Sequence, residues 1–305
     1  MTATPLPRDF SATTRLGLLL AAMSAAGYGL MISATRLAYD AGSDPATVIF
    51  LRAAVPALMI AAVLLARRGA FTLAPGAAWP VAGVALGQLG CTIGYLGAVA
   101  YIPVSLAALI FYAYPILVAG LLALTSHSRV GWPAGLAFLA AFAGLVLALA
   151  PSFAVLDPLG LALALCAALS GVLLVLAADR LPASQGMLPL GLCMNLFAVA
   201  VVGPFALAIG GFTLPATPLG WGALAFVCLG YLAAFFGMIG AVRYAGPLRA
   251  ALIFNLEPVI AIASAVLLLG ETLSAAQALG VGLVFAALTL ATLAERSSPP
   301  LPPPA

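Results

Sequence analysis

The sequence predicts an all-α integral membrane protein whose ten transmembrane helices form two inverted five-helix repeats. The first observation behind this prediction is composition: 65% of the residues are hydrophobic, 6% are charged and the mean hydropathy is +1.24. Soluble domains carry about 25% charged residues, so a chain of this kind is solvated mostly by lipid. The net charge of +3 comes from scattered arginines, which does not indicate nucleic-acid binding.

The second observation is a long internal repeat. The stretch GYLGAVAYIPVSLAALIFYAYP at 94–115 returns as GMIGAVRYAGPLRAALIFNLEP at 237–258 without a gap. A fixed long period indicates duplication of a structural unit. A duplicated set of membrane helices with an embedded proline in each copy is typical of secondary transporters.

Ten apolar segments, each near the roughly 20 residues needed to cross a bilayer, divide equally between the two copies. We predict helices at 16–38, 46–66, 79–100, 104–124, 131–150, 157–177, 186–210, 218–241, 249–270 and 276–294. Residues 1–15 would form a cytoplasmic N-terminal segment, 16–150 the first repeat and 157–294 the second. The stretch 297–305 is proline-rich, which predicts a disordered tail.

The third observation is the distribution of arginine. Because each copy has an odd number of segments, the second copy must enter the membrane from the opposite side. With both termini in the cytoplasm, nine arginines fall in cytoplasmic loops, as the positive-inside rule requires: Arg8, Arg15, Arg67, Arg68, Arg129, Arg180, Arg243, Arg249 and Arg296. The aligned positions Ala100 and Leu106 become Arg243 and Arg249 in the second copy. The apolar pattern is kept while the charges that set orientation are exchanged, which predicts an inverted repeat.

Several features match a known family. They are the proline-bearing fourth and ninth segments, the GET at Gly270–Thr272 before a glycine-rich last helix, and Arg52 within the second segment. On these the chain resembles the EamA-type members of the drug/metabolite transporter superfamily over residues 16–294. The first copy departs from the pattern, with Ser126, His127 and Ser128 where the second copy has the glycine and glutamate.

The resemblance implies a fold in which segments 1–4 and 6–9 surround a central cavity and segments 5 and 10 support it from outside. It implies a multi-pass protein of the bacterial inner membrane that exports small metabolites. The bacterial aromatic amino-acid exporter is the nearest well-known type, so neutral or aromatic amino acids are the expected solutes.

Two aligned prolines, Pro115 and Pro258, mark the expected position of the solute. Each removes a backbone donor and kinks its helix, which exposes carbonyl groups one turn earlier. Inverted-repeat transporters bind their solutes near such interruptions at the bilayer midplane. A gating role and a simple bend remain alternatives.

A polar and aromatic stripe runs along the third segment, opposite a face of glycines, and suits the wall of a cavity. It comprises Gln88, Thr92 and Tyr95, and the repeat aligns Gln88 with Tyr231. Further cavity candidates at similar depth are Tyr28, Tyr112, Asn195 and Asn255. A packed stripe, or asparagines that only bridge helices, would give the same pattern.

Two ionisable side chains, Glu257 and Arg52, lie within predicted segments, where an unpartnered charge costs at least about 2.5 kcal/mol. Glu257 could couple transport to protons, hold the amino group of a solute, or act as a structural brace that satisfies Arg52, as an ion pair, or backbone amides. Its aligned residue is Tyr114, so the second copy alone supplies an acid.

Other function classes find little support in the sequence. HExxH, GxSxG and P-loop patterns are absent, which argues against an intramembrane enzyme, and a channel would not need two exchanged halves. The four cysteines lie in apolar stretches without paired spacing. We therefore expect no catalytic residues, metal or cofactor; the partners would be a small-molecule solute and the lipid bilayer, with no obligate protein partner evident. Transport of another metabolite or a drug on the same fold stays open.

Overall fold

The computed structural model describes residues 12–68, 71–99, 101–102, 104–125, 132–150, 156–208, 210, 212–270 and 272–297. Most of the predicted N-terminal segment and tail, and also Arg8, Arg129, His127 and Glu271, lie outside these residues.

The described residues form helices connected by short loops. The helices are α1 (Ala12–Asp40), α2 (Pro45–Ala66), α3 (Ala78–Val99), α4 (Val104–Phe111), α5 (Tyr114–Thr125), α6 (Trp132–Leu149), α7 (Pro158–Asp179), α8 (Met187–Ala208), α9 (Pro218–Ala245), α10 (Pro247–Phe254), α11 (Leu256–Leu269) and α12 (Ala275–Ser297). Within this part of the chain, seven helical spans are long and apolar enough to cross a membrane, and two shorter apolar helices cover Gly135–Leu149 and Ala275–Ala287.

Two segments that the sequence predicts as single helices are each divided into two. The fourth segment breaks between α4 and α5, and the ninth breaks at Asn255 between α10 and α11. Pro115 has no N–H to offer to the Phe111 carbonyl, and the next amide, of Ile116, turns to the Ala113 carbonyl at 3.1 Å. The described residues therefore contain twelve helices, because the fourth and ninth predicted segments are each divided near the proline that predicts a kink.

The two copies run in opposite directions. Equivalent helices α2 and α8 pack against each other with Ile60 near Gly191 and Phe50 near Gly203, so they are antiparallel. Helices α6 and α12 are also equivalent and also antiparallel, because Gly144 meets Val284 while Ala148 meets Gly280.

The copies are interleaved rather than placed side by side. Helix α1 packs along α9 and also contacts α10 and α11, and we call these four helices the first bundle. Helix α3 packs along α7, which also contacts α4 and α5, and these four form the second bundle. Exchange of the two copies converts one bundle into the other. Helix α2 packs on α8 and α9, while α6 and α12 pack on each other.

Small residues allow the long helices to approach closely. The face of α3 that carries Gly83, Gly87, Gly90, Gly94 and Gly97 lies against α7. In the first bundle, the Ser24 hydroxyl of α1 donates to the Ala234 carbonyl of α9 at 2.7 Å. Without a hydrophobic driving force between helices in lipid, such close packing and interhelical hydrogen bonds hold a bundle together.

At one end of the molecule, Asp44 joins the loop before α2 to the loop before α9. Its carboxylate accepts a hydrogen bond from the Thr47 amide at 2.9 Å as the N-cap of α2, and another from the Thr213 amide at 2.8 Å. Burial raises the pKa of Asp44, but the hydrogen bonds from Thr47 and Thr213 outweigh it, so the pKa lies below its ordinary value. The folded protein therefore prefers the charged carboxylate.

We expect Asp44→Ala to destabilise the protein at neutral pH by about 1–2 kcal/mol, since the α2 cap is lost. A lowered pKa stabilises the fold above the ordinary value of about 3.9, and that contribution disappears as the pH falls through the folded value. The thermal midpoint of the wild type in detergent should therefore fall more steeply than that of the variant between about pH 4 and pH 2. The control is Asp157→Ala, which removes the N-cap of α7 without a contact to a second loop. Parallel pH curves for wild type and Asp44→Ala would contradict this assignment.

Candidate functional site

Arg52 lies between the two bundles and contacts both. On one side its Nη2 donates to the Thr92 hydroxyl of α3 at 3.1 Å. On the other side its guanidinium lies over the Tyr231 ring of α9, 4.7 Å from the ring centroid. A cation above an aromatic face is attracted by the ring quadrupole. Since α2 packs on α9, Arg52 belongs with the first bundle and reaches across to the second.

Glu257 also bridges the bundles. It lies in the first turn of α11, and its Oε1 accepts a hydrogen bond from the Tyr112 hydroxyl at 3.0 Å. Tyr112 occupies the break between α4 and α5 in the second bundle. Each of the two embedded charges is thus hydrogen-bonded to a neutral hydroxyl. In both cases the charge lies with the first bundle and the hydroxyl belongs to the second.

Glu257 and Arg52 do not contact each other in this conformation. Arg52 is hydrogen-bonded to Thr92, and Glu257 is hydrogen-bonded to Tyr112. Among the described residues, Arg36 forms an ion pair with Asp40 at 3.3 Å near the end of α1. Proton coupling, contact with a solute and a bracing role all stay predictions for Glu257.

Tyr28 lies on α1 near both charges. Its ring meets the Tyr231 ring edge-on, with 6.2 Å between centroids, and the Arg52 guanidinium lies over that same Tyr231 ring. The next residue, Gly29, packs against the backbone of Glu257. The Tyr28 hydroxyl is buried and finds no hydrogen-bond partner in the described part of the chain. A buried donor without a partner is unfavourable, and it is available to a ligand.

A second aromatic group surrounds the Glu257 side of the site. Tyr95 packs on Phe111 with 5.8 Å between centroids, and Phe111 packs on Tyr112 at 5.0 Å and on Tyr114 at 5.4 Å. Phe111 and Tyr114 were not predicted as site residues. The repeat could have indicated Tyr114, because it aligns with the candidate Glu257. The Tyr114 ring lies over Gly171, and Gly171 aligns with Tyr28.

The two asparagines turn back on their own helices instead of bridging to others. The Asn195 amide donates to the Gly191 carbonyl at 2.7 Å, and its buried Oδ1 has no partner among the residues described. The Asn255 amide donates to the Leu252 carbonyl at 2.9 Å and to that of Ala251 at 3.4 Å. Asn255 therefore satisfies carbonyls next to the break before Pro258.

A small recess lies beside Arg52 at the meeting point of α2, α3, α8 and α9. Its volume is about 20 Å³, which is room for about one water molecule. Arg52, Gln88, Thr92 and Tyr231 line it together with apolar side chains from α2 and α8. In this conformation the predicted central cavity is nearly closed, and a solute would need the bundles to separate.

The arrangement so far is a membrane bundle of two inverted copies with charged groups at their interface. The sequence matches the EamA-like transporter family over residues 15–150 and again over residues 158–293. The chain belongs to this family. It is therefore a multi-pass membrane protein of a class that transports small metabolites, and each copy is one repeat of the family.

A solved structure supports the same fold. Titled only "Crystal structure of protein", it matches this EamA-like chain with a TM-score of 0.76 and 20% sequence identity, covering 94% of this chain and 100% of the other. At that identity the likeness shows the fold alone. The comparison with curated proteins finds no significant match.

Proposed function

We propose that the chain is a secondary transporter that exports small metabolites, above all neutral or aromatic amino acids, by alternating access. The observation that carries this proposal is the interface between the bundles. There an arginine and a glutamate lie within an aromatic lining, and each is satisfied by a neutral hydroxyl from the other side. Charged groups inside a membrane bundle mark solute or ion pathways.

We also propose ten membrane crossings, with both termini in the cytoplasm of a bacterium whose inner membrane holds the protein. Gly17 of α1 packs on Ala245 of α9, which places the start of α1 and the end of α9 at the same end of the molecule. Arginines collect at this end: Arg15, Arg67, Arg68, Arg180 and Arg243. The opposite end carries Arg36, which is paired with Asp40. The positive-inside rule favours the arginine-rich end as the cytoplasmic one.

The moving bodies in this mechanism are the two bundles, each built from helices of both copies, and not the copies themselves. The long helices within each bundle pack closely through glycines, whereas the packing of α5 on α10 and of α7 on α9 between the bundles is less extensive. Separation at one end would open the site to one side of the membrane. The breaks at Asn255 and before Pro115 lie at this interface, where a flexible joint is useful.

One inter-bundle contact lies at the arginine-rich end. Arg243 of α9 donates through Nη2 to the Pro182 carbonyl at 3.1 Å and to the Gln185 carbonyl at 3.2 Å. Both carbonyls belong to the loop that follows α7 of the second bundle. The aligned residue of the first copy is Ala100, whose methyl side chain cannot donate. We assign Arg243 as a latch: its hydrogen bonds hold the two bundles together at the cytoplasmic end, which we call the cytoplasmic gate.

Counterflow in proteoliposomes tests the transport proposal. We expect labelled phenylalanine to accumulate transiently in vesicles that contain the protein and are preloaded with unlabelled phenylalanine, and we expect the initial rate to saturate. Vesicles without protein are the control. Flux that never saturates would indicate a channel, and the absence of flux for every amino acid would overturn the choice of solute.

A further inference from the structure

Both embedded charges and one unpartnered hydroxyl lie on the same side of the bundle interface. Glu257 and Tyr28 belong to the first bundle, and Arg52 contacts that bundle through the Tyr231 ring. The backbones are close as well, because a Cβ on Gly29 of α1 would lie 2.7 Å from the Glu257 carbonyl oxygen. Tyr28, which precedes Gly29, lies beside this contact, and its ring meets the Tyr231 ring on which the Arg52 guanidinium lies.

The groups that now satisfy these charges lie on the other side. Thr92 and Tyr112 both belong to the second bundle, and both are neutral hydroxyl donors or acceptors. When the bundles separate, these hydroxyls leave with the second bundle. The first bundle is then left with a cation, a free hydroxyl and a carboxylate that have lost these partners inside the membrane.

We propose that this surface binds the zwitterionic backbone of an amino acid, with Arg52 on the carboxylate, Glu257 on the ammonium group and the Tyr28 hydroxyl between them. The inference rests on the proposed transport function and specifies how the solute is recognised. Opposite charges attract each other by the full Coulomb interaction, which a neutral hydroxyl does not supply, so a zwitterion replaces Thr92 and Tyr112 with stronger partners. A solute with a single charge satisfies one group and leaves the other unpaired in the membrane interior.

Three ligands that differ only in charge test this assignment: phenylalanine, phenethylamine, which lacks the carboxylate, and 3-phenylpropionate, which lacks the ammonium group. Each competes against labelled phenylalanine in counterflow by the wild-type protein. We expect each singly charged ligand to compete at least about tenfold more weakly than phenylalanine.

Two variants should change this preference in opposite directions. Glu257→Gln should favour 3-phenylpropionate relative to phenylalanine, because the ammonium group loses its partner. Arg52→Gln should favour phenethylamine, because the carboxylate loses its partner. The readout for the variants is the shift in thermal midpoint produced by each ligand, so that it does not depend on transport. A ratio between ligands also cancels any general loss of folded protein.

The third variant isolates the central hydroxyl. We expect Tyr28→Phe to fold at least as stably as the wild type, since a buried group without a partner is removed, and to bind phenylalanine about fivefold more weakly. The control is Tyr244→Phe, at the exposed end of α9. Unchanged phenylalanine affinity in Tyr28→Phe would overturn the role of this hydroxyl.

The failure of this inference differs from a failure of the proposed function. Suppose that the wild type moves phenylalanine but accepts phenethylamine equally well, or that both charge variants lose all three ligands alike. The charge assignment is then overturned while transport stands. If the wild type neither moves nor binds any of the three ligands, both proposals are overturned.

Discussion

A leucine in place of Gly87 is expected to prevent the second bundle from assembling. A Cβ at this position would lie 2.7 Å from the backbone nitrogen of Leu174 in α7 and 2.9 Å from its Cα. Backbone atoms cannot turn aside as a long side chain can, so α3 and α7 would have to move apart along their length. Overpacking of a well-packed interior typically costs about 1–3 kcal/mol and occasionally more, and we expect the upper end here because backbone atoms are met. That is a large part of the stability of a typical domain.

The matched control is Gly120→Leu in α5 of the same bundle, where a Cβ would meet no atom within 4 Å. After detergent extraction, we expect Gly120→Leu to elute as a single species with a thermal midpoint near that of the wild type. Gly87→Leu should instead elute as aggregate, or unfold at a clearly lower temperature. Equal midpoints for the two variants would mean that the α3–α7 contact is looser than the structure shows.

The fold could be predicted from the sequence as far as its signals are local or periodic. Apolar segments, the repeat and the glycine face of α3 each follow from residue type and spacing. The interleaving of the two copies could not be predicted, because it depends on which long helix packs on which. The division of the fourth and ninth segments could be predicted only in part: Pro115 and Pro258 indicate a kink, but the helices already end at Phe111 and Phe254.

The site, too, could be predicted only in part from the sequence. Arg52 and Glu257 are conspicuous in the sequence because charges are rare inside membrane segments. Their partners are not, since Thr92 and Tyr112 are common polar residues that only the bundle arrangement brings to them. One hypothesis paired Arg52 with Glu257 because the sequence alone did not identify a neutral partner for either charge. The repeat alignment pairs Tyr28 with Gly171 and Glu257 with Tyr114. Because Tyr114 lies against Gly171, the symmetry of the repeat indicates that Glu257 lies near Tyr28.

The second large effect is expected at the arginine-rich end, where Arg243→Gln should open the gate. Its guanidinium donates to two carbonyls of the opposite bundle, and hydrogen bonds from a charged donor contribute about 1.5–3 kcal/mol each. Loss of even one such bond would favour separation at this end by about tenfold or more. Ala100, the aligned residue of the first copy, has no donor in its side chain. We therefore expect the conformational balance to shift toward opening on the side that carries Arg243.

A cysteine at Ala198, which lines the recess, reports this shift in a background without the four native cysteines. We expect a membrane-impermeant thiol reagent applied from the cytoplasmic side to label it about tenfold faster in Arg243→Gln than in the parent. The control Arg180→Gln removes an exposed charge from the same end of the molecule and leaves the hydrogen bonds of Arg243 in place. If both variants accelerate labelling equally, the effect belongs to surface charge, and the two hydrogen bonds of Arg243 do not hold the gate.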